Sequence, residues 1–330
     1  MNARRRWTWA LLALAGALGC SKTGEKDQGK EPAGGGKGPA AAAPAANAAT
    51  ALPTGPMTPV DLAADDQYLY WTNSSAKSGT VVRSSHDGKT MGHLAKDEPM
   101  PAQITTDATH VWWRVGGGFV RSAKTGGGTE IVAMTDDEVG DIAAADGKLY
   151  YTALQKGDIV VVEPDKMPEI LVPGQNHPLR IAVDAQNVYW TTTGSGKKDG
   201  TVMKAPRAGG APVKLAGEQW LPDNLVIDGR RVYWSMPKRG GNAVLSVTLD
   251  GIEPLTLAQD VGDVKSLAVD ASYLYIGTQK AVKRVPRKGG PVEDVVPDTG
   301  GLVSQLVLDA THLFWNDYRN GKIMTARKLP

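Results

Sequence analysis

A pair of adjacent aromatic or bulky apolar residues recurs seven times in this 330-residue chain. The second members of successive pairs lie 38 to 44 residues apart. A fixed period of about 40 residues is typical of repeat architectures, in which each repeat forms one supersecondary unit. The seven pairs are Tyr70-Trp71, Trp112-Trp113, Tyr150-Tyr151, Tyr189-Trp190, Tyr233-Trp234, Tyr275-Ile276 and Phe314-Trp315.

Each repeat has the composition of four short strands. In the fourth repeat, β-forming residues occupy 181–183, 188–192, 201–204 and 212–215, with turn residues such as Asp184 and Asn187 between them. Four strands in about 40 residues predict a β-propeller. Sustained helical periodicity is missing from the sequence, which excludes a helical solenoid. We therefore predict an all-β fold with seven blades of four antiparallel strands, six blades being the alternative.

The seventh repeat is too short to complete a blade. It runs from about residue 305 to residue 330 and contains three predicted strands. A missing fourth strand leaves a bare sheet edge, so we expect another segment to supply it. The nearest donor precedes the first repeat, at residues 48–58, where Pro53 and Pro56 are compatible with an outermost strand. The propeller domain itself is assigned to residues 59–330.

Four of the aromatic strands carry related strings: YWTN at 70–73, YWTT at 189–192, YWSM at 233–236 and FWND at 314–317. Over residues 59–330 the chain resembles the YWTD-type propellers of lipoprotein receptors. It is equally similar to bacterial propeller lipoproteins and to a repeat family of unassigned function. Only Asp317 keeps the fourth-position acid, and YWTD propellers usually have six blades. The resemblance implies the architecture and does not extend to receptor function.

The first residues have the features of an export signal. Arg4, Arg5 and Arg6 precede an apolar run of 12 residues, which is shorter than the roughly 20 residues that span a bilayer. The run ends in Ala-Leu-Gly-Cys, which resembles the lipobox of bacterial lipoproteins, and Cys20 is the only cysteine. The resemblance implies a lipoprotein signal peptide over 1–19 and lipidation of Cys20. A plain secretory signal with an incidental cysteine is the alternative.

The residues after Cys20 indicate where the protein resides. In lipoproteins of Gram-negative bacteria an aspartate at the next position favours the inner membrane, so Ser21 implies the outer membrane. Residues 20–58 are rich in Ala, Gly and Pro, which predicts a flexible tether after the lipid anchor. We therefore expect a cell-envelope protein that is periplasmic or surface-exposed and bound to the membrane by its acyl chains.

The composition and the motifs exclude several classes of function. The 37 Lys and Arg nearly balance the 35 Asp and Glu, which argues against nucleic acid as the main partner. A single cysteine excludes intrachain disulfides and cysteine-rich zinc sites. The sequence contains no nucleophile elbow, Walker A loop, HExxH string or EF-hand loop. It therefore predicts no catalytic residue, metal site or cofactor, a structural or channel-bound Ca²⁺ being the alternative.

Every repeat has a polar residue near the start of its first strand, which in a propeller lines the central channel. The position keeps its polarity while its identity changes, so we interpret it as a ligand-binding ring at the channel mouth. The alternative is that these residues are polar only because water fills the channel, with no ligand involved. The loop residues His177 and Trp220 complete the candidate site. The ring members are Asp61, Gln103, Asp141, Arg180, Asn224, Ser266 and Gln305.

Arg180 carries a guanidinium that can hold a carboxylate or phosphate in two bonds. These features favour a non-catalytic binding or scaffold propeller whose partner is an envelope protein or an anionic or carbohydrate ligand. A periplasmic propeller enzyme, a lyase or hydrolase acting at the channel mouth, is the alternative.

Overall fold

The computed structural model describes residues 47–55, 57–75, 78–237 and 241–330. The predicted signal peptide, the lipidation residue Cys20 and the tether as far as residue 46 lie outside the described residues. The described ranges contain 28 strands, and none of their segments forms a helix that could cross a bilayer.

The strands form seven four-stranded antiparallel sheets, which confirms the predicted seven blades of four strands. Six blades consist of four consecutive strands each. Blade 1 has β2 (Pro59–Ala64), β3 (Tyr68–Asn73), β4 (Gly79–Ser85) and β5 (Met91–Glu98); blade 2 has β6 (Ile104–Thr106), β7 (His110–Val115), β8 (Gly118–Ala123) and β9 (Thr129–Met134); blade 3 has β10 (Val139–Ala145), β11 (Lys148–Ala153), β12 (Asp158–Val162) and β13 (Glu169–Val172). Blade 4 has β14 (Pro178–Val183), β15 (Asn187–Thr192), β16 (Gly200–Pro206) and β17 (Val213–Gln219); blade 5 has β18 (Asp223–Ile227), β19 (Arg231–Ser235), β20 (Val244–Thr248) and β21 (Leu255–Ala258); blade 6 has β22 (Val264–Val269), β23 (Tyr273–Thr278), β24 (Val282–Pro286) and β25 (Glu293–Val296).

Blade 7 combines the two ends of the described chain. Its strands β26 (Leu306–Leu308), β27 (His312–Asp317) and β28 (Lys322–Arg327) are joined by β1 (Thr50–Ala51), which pairs with β28 at the outer edge. The N–H of Leu52 donates to the carbonyl of Ile323 at 2.9 Å, and the Leu52 side chain is buried between blades 7 and 1. The segment before the first repeat therefore closes the ring. The ring begins N-terminal to residue 59, within the segment that was assigned to the tether.

The two residues of each aromatic pair face opposite sides of their sheet, because side chains alternate along a strand. Tyr150 packs against Ile181 and Trp190 of blade 4, whereas Tyr151 packs against Trp112 of blade 2. The core consists of seven clusters of this kind, one at each boundary between adjacent blades. Each sheet buries both faces, which explains why a pair of large residues recurs.

An aspartate closes the turn between the first and second strands in six blades. Asp65, for example, accepts the N–H groups of Gln67 and Tyr68 at 2.9 and 2.8 Å. Blade 3 uses a shorter turn, in which Asp146 and Gly147 have φ angles of 50° and 75°. Positive φ at two adjacent residues is the geometry of a two-residue type I′ hairpin. The recurring aspartates are therefore structural turn residues.

The first strands of the blades enclose the central channel. They contact one another in the order β2, β6, β10, β14, β18, β22 and β26, and β26 contacts β2 again.

Candidate binding site in the central channel

All seven predicted ring residues line one cavity of about 290 Å³ in the channel. Backbone irregularities help to position them: the pairing of first and second strands shifts register beside Asp61, Arg180 and Ser266, among others. Such bulges re-aim a side chain at the rim of a sheet. The structure therefore brings together residues that are separated by up to 244 positions in the sequence.

Several ring side chains also connect neighbouring blades. Asp61 accepts the N–H of Leu62 in its own strand and that of Ile104 in blade 2, both at 2.9 Å. Asp141 repeats the pattern, with Ile142 at 2.9 Å and Ile181 of blade 4 at 3.2 Å. Some of the polar ring side chains therefore serve as acceptors for backbone N–H groups of the neighbouring blade.

Ser266 and Asn224 make similar connections on the other side of the channel. The Ser266 hydroxyl accepts the N–H of Leu306 in blade 7 at 2.9 Å. The Asn224 side-chain amide donates to the Ser235 hydroxyl at 2.9 Å and to the Val264 carbonyl of blade 6 at 3.4 Å. These four side chains hold blades together whether or not a ligand is bound.

Gln103 is less completely satisfied. Its amide nitrogen donates to the carbonyl of Gly140 at 3.4 Å. Its Oε1 atom is buried and has no hydrogen-bond partner among the described residues. A buried acceptor without a donor carries a desolvation penalty of about 1–3 kcal/mol. Rotation of the Gln103 amide toward the cavity would expose this oxygen to a ligand hydroxyl or a water molecule.

The two ring carboxylates are held in an unusual electrostatic environment. Burial raises the pKa of Asp61 to about 6, and the nearby charge of Asp141 adds to that rise. The backbone N–H groups of Ile104 and Leu62 and the charge of Arg180 act in the opposite direction. Burial also raises the pKa of Asp141, against the charge of Arg180 and two backbone N–H groups. Asp61 therefore titrates near neutral pH.

Arg180 is already paired. Its Nε donates to Oδ1 of Asp223 at 2.5 Å, and 35% of its side chain remains accessible in the open channel. Burial lowers the pKa of Arg180, but the carboxylates of Asp223, Asp141 and Asp61 together hold it above its usual value. The guanidinium is thus compensated by acids of this chain, which weakens its attraction for an anionic ligand.

Lys265 is a second cation in the cavity wall, and it is not among the residues predicted from the sequence. Its ammonium lies 2.7 Å from Oδ2 of Asp263. Lys265 precedes the ring residue Ser266, at a position that is apolar or glycine in blades 1–4. The departure from that pattern, at Asp223 and Lys265 in blades 5 and 6, was a signal that could have identified it.

The cavity has no net formal charge. Two carboxylates, Asp61 and Asp141, and two cations, Arg180 and Lys265, line it. The remaining polar side chains in the wall are neutral amides and hydroxyls: Gln103, Asn224, Ser266, Ser304 and Gln305. The wall therefore offers hydrogen-bond donors and acceptors on all sides without a dominant charge.

A second hollow of about 480 Å³ adjoins the channel between blades 4 and 6. Arg180 and Lys265 line both spaces, together with the apolar side chains of Leu221 and Met236 in the second one. Leu221 has a φ of 45°, which is rare for a bulky residue and indicates local backbone strain. Asp223 and Asp263, which pair with these two cations, line the hollow as well.

His177 and Trp220 do not line the channel cavity. His177 is exposed, has a φ of 54°, and its Nδ1 lies 3.0 Å from the side-chain oxygen of Asn176. Trp220 is half-buried in the turn after β17. The structure thus joins the seven ring residues into one site and leaves the two loop residues outside it. The described ranges contain no group of three or more His, Cys, Asp or Glu that could hold a metal ion.

No protein-family model and no curated relative matches the chain by sequence. Solved structures share its fold. Virginiamycin B lyase from Staphylococcus aureus is 12% identical with a TM-score of 0.67, and the match covers 85% of this chain and 98% of the lyase. A gluconolactonase from Xanthomonas campestris is 15% identical with a TM-score of 0.54, over 83% of this chain and 98% of the other.

A nidogen–laminin complex provides a third similar structure, 17% identical with a TM-score of 0.52, over 66% of this chain and 88% of the other. At such low identities the similarity establishes a β-propeller and nothing more specific. The structural neighbours include enzymes as well as binding proteins, so they do not decide between the two functional classes.

Proposed function

We propose that this chain is an outer-membrane-anchored propeller of the cell envelope that binds a neutral, hydroxyl-rich small molecule of carbohydrate type in its central channel and does not transform it. The observation that carries the proposal is the mixture of neutral amides and hydroxyls in the cavity wall, beside two carboxylates and two cations whose formal charges sum to zero. A sugar hydroxyl both donates and accepts hydrogen bonds, so it complements a wall of mixed donors and acceptors.

Two further contacts favour a neutral ligand over an anionic one. Arg180 already donates to Asp223, and Lys265 lies against Asp263, so an acid of this chain compensates each cation and weakens its attraction for a carboxylate or phosphate. The buried Oε1 of Gln103 is an acceptor that only a donor can satisfy. An anion would bring more acceptors to a site that needs donors.

Membrane anchoring is part of the proposal and rests on the sequence before residue 46. The three arginines, the short apolar run and the lone Cys20 support lipidation, and Ser21 supports the outer membrane. An envelope protein that presents the ligand, for example a glycosylated one, is compatible with the same channel.

The proposal is tested by ligand-induced thermal stabilisation. The purified chain is mixed with neutral hexoses and N-acetylhexosamines, and with the matching uronic acids as anionic controls. A ligand at a hundred times its Kd adds about 2.7 kcal/mol to the free energy of unfolding, which raises the Tm by several degrees. We expect stabilisation by at least one neutral sugar and less by its uronic acid.

Two variants assign the effect to the channel. Gln103→Leu removes the unsatisfied acceptor, so the Tm rise should disappear, while His177→Ala, outside the cavity, should keep it. Preference for the uronic acids would contradict the neutral-ligand proposal. A Tm rise that survives Gln103→Leu would place the site elsewhere.

A catalytic role is the second candidate, and the pKa of Asp61 favours it. A carboxyl group that titrates near 6 can both accept and donate a proton at neutral pH. Against this role, both Asp61 oxygens accept backbone N–H groups. Mass spectrometry of a stabilising sugar or sugar lactone after incubation distinguishes the two roles: conversion that Asp61→Asn abolishes in a folded protein would support an enzyme.

A further inference from the structure

Contacts between basic side chains and turn aspartates connect adjacent blades at the end of the strands opposite the ring residues. In each, a basic residue after the third strand of one blade reaches the turn aspartate of the preceding blade. The pairs are Lys124 with Asp65 at 2.8 Å, Arg207 with Asp146 at 2.7 Å, Lys328 with Asp270 at 2.8 Å, His86 with Asp309 at 3.0 Å, and Arg287 with Asp228. Five of the seven blade boundaries therefore have this connection.

The two other boundaries differ from each other. At the boundary of blades 2 and 3, Asp107 accepts the backbone N–H of Gly147 from the next blade at 3.1 Å. At the boundary of blades 4 and 5, Asp184 makes bonds within its own blade only, to the N–H groups of Gln186 and Asn187 and to the Tyr189 hydroxyl at 2.8 Å. Among the described residues, Asp184 is the turn aspartate with no bond from the following blade.

Leu249 occupies the place of the missing basic residue. Its N–H donates to the carbonyl of Arg230 at 3.0 Å. The basic residues at four other boundaries make the same backbone bond to the turn of their own blade: Lys124 to Thr109, Arg207 to Gln186, Arg287 to Ser272 and Lys328 to Thr311. The backbone at Leu249 is therefore positioned like theirs, and only the cationic side chain is missing.

The chain itself shows what this place accommodates. Arg207 donates from Nε to the Tyr150 hydroxyl at 2.9 Å, and its guanidinium carbon lies 5.5 Å from the centre of the Tyr150 ring. Arg287 donates to the Tyr233 hydroxyl at 3.0 Å in the same way. A carboxylate, a phenol and an aromatic face together recognise a guanidinium or ammonium group.

A cavity of about 530 Å³ opens at this boundary, lined by Asp184, Tyr189 and Leu249. We propose that this slot binds an arginine or lysine side chain presented by another protein, which takes the place beside Asp184 that a basic residue of the next blade fills at other boundaries. Lys204 also lies at this boundary, but its Nζ donates to the Leu249 carbonyl at 2.5 Å and forms no ion pair with Asp184. Two more carboxylates, Asp250 and Glu253, and two cations, Lys204 and Arg230, also line the cavity. With Asp184, its side chains carry one net negative charge, which favours a basic segment over an acidic one. Ile252, with 60% of its surface exposed, offers an apolar neighbour. The site lies at the far end of the strands from the channel ring and does not depend on the sugar-binding proposal.

The test compares two peptides on the purified full chain in detergent. One is a Gly-Ser heptapeptide with a central arginine, and the other carries neutral citrulline, which keeps the shape and removes the charge. Binding is followed by NMR from the amide signals of Asn187 and Tyr189. We expect the arginine peptide to bind roughly threefold to tenfold more tightly than the citrulline peptide, as befits one charge-assisted contact.

Two variants of the slot sharpen the result. Leu249→Arg should fill the slot from within, raising the Tm by about 1–3 °C and weakening binding of the arginine peptide to the level of the citrulline peptide. Asp184→Asn keeps an oxygen for the turn and should abolish the preference for arginine. Ile131→Arg, at an exposed position of blade 2, adds the same charge elsewhere and should change neither quantity.

Equal binding of the two peptides to the unmodified chain would overturn the proposal. A higher Tm of the Leu249→Arg variant would not rescue it, because that Tm does not measure peptide binding. Retention of arginine-specific binding by both Leu249→Arg and Asp184→Asn would overturn the assignment to this slot. These outcomes are independent of the sugar-binding proposal, because the slot variants leave the channel residues unchanged.

Discussion

Thr50 on β1 pairs directly with Thr325 on β28, so the N-terminal segment forms the outer edge of the last blade. The contact continues through Leu52, whose buried side chain lies between blades 7 and 1. The closure of the ring therefore depends on residues that precede the first repeat.

Truncation separates the tether from this closing strand. Deleting residues 21–46 should leave the Tm nearly unchanged, whereas deleting residues 21–58 should lower it by several degrees. The longer deletion removes the β1 pairing and the burial of Leu52, and a buried leucine alone contributes about 2–5 kcal/mol. Leu52→Ala in the full chain should reproduce much of the loss. Equal Tm values for the two deletions, measured by calorimetry, would contradict a closing role for β1.

Asp61 should titrate with a midpoint near pH 6 when its carboxyl signal is followed by NMR. The charges of two neighbours, Asp141 and Arg180, move the pKa of Asp61 in opposite directions. Asp141→Asn should lower the pKa of Asp61, because it removes a nearby negative charge, and Arg180→Met should raise it. An unshifted Asp61 midpoint in both variants would show that the ring charges do not interact.

The same shift has a consequence for stability. The folded-state pKa of Asp61, about 6, lies above the ordinary value of 3.8, so the folded protein holds this proton more tightly. The contribution of Asp61 to the free energy of unfolding is therefore complete below about pH 4 and is lost as the pH rises through 6. Denaturant titrations at pH 4 to 8, with Asp61→Asn as the comparison, isolate this contribution.

Ser266→Ala should destabilise the ring by about 1–3 kcal/mol, because it leaves the N–H of Leu306 without an acceptor in a buried position. Ser304→Ala changes the same cavity wall and should stay within about 0.5 kcal/mol of the unmodified chain. Urea unfolding of both variants provides the measurement. Equal stabilities would mean that Ser266 does not connect blades 6 and 7.

Arg207→Met should lower the free energy of unfolding by about 1–2 kcal/mol. The substitution keeps much of the aliphatic stem and removes the bonds to Asp146, to the Tyr150 hydroxyl and to the carbonyl of Ala145. Lys166→Met removes an exposed pair with Glu163 and should have almost no effect. If the two variants unfold at the same urea concentration, the connections between blades are no stronger than ordinary surface pairs.

Cys20→Ser tests the lipid anchor, which lies outside the described residues. If Cys20 carries the proposed acyl chains, the variant should move from the membrane to the soluble fraction of the cell envelope, because those chains would hold the protein at the bilayer. Fractionation and immunoblotting measure the change, with Ser21→Ala as the control that keeps the anchor. A variant that remains in the membrane fraction would contradict lipidation at Cys20.

The repeat pattern determined the architecture because each blade is built from local contacts. The aromatic pairs and the turn residues define strands and turns within about 40 residues, and the seven blades of four strands were predicted correctly. Closure joins residues about 275 positions apart; the short last repeat predicted it, although the ring begins before residue 59, within the predicted tether. The common placement of the seven polar residues was predicted as well, because one position in a regular repeat must recur at one level of the channel. That they bind a ligand stays a prediction.

Contacts between different blades were decided only by the tertiary structure. That Arg180 pairs with Asp223, that Lys265 lines the cavity, and that His177 and Trp220 stay outside it depend on how adjacent sheets are placed. The missing connection at Asp184 is of the same kind, because it is defined by Leu249 in the next blade. A repeat alignment compares equivalent positions in different blades, whereas ion pairs and cavities join non-equivalent positions, and their distances exist only once the ring has closed.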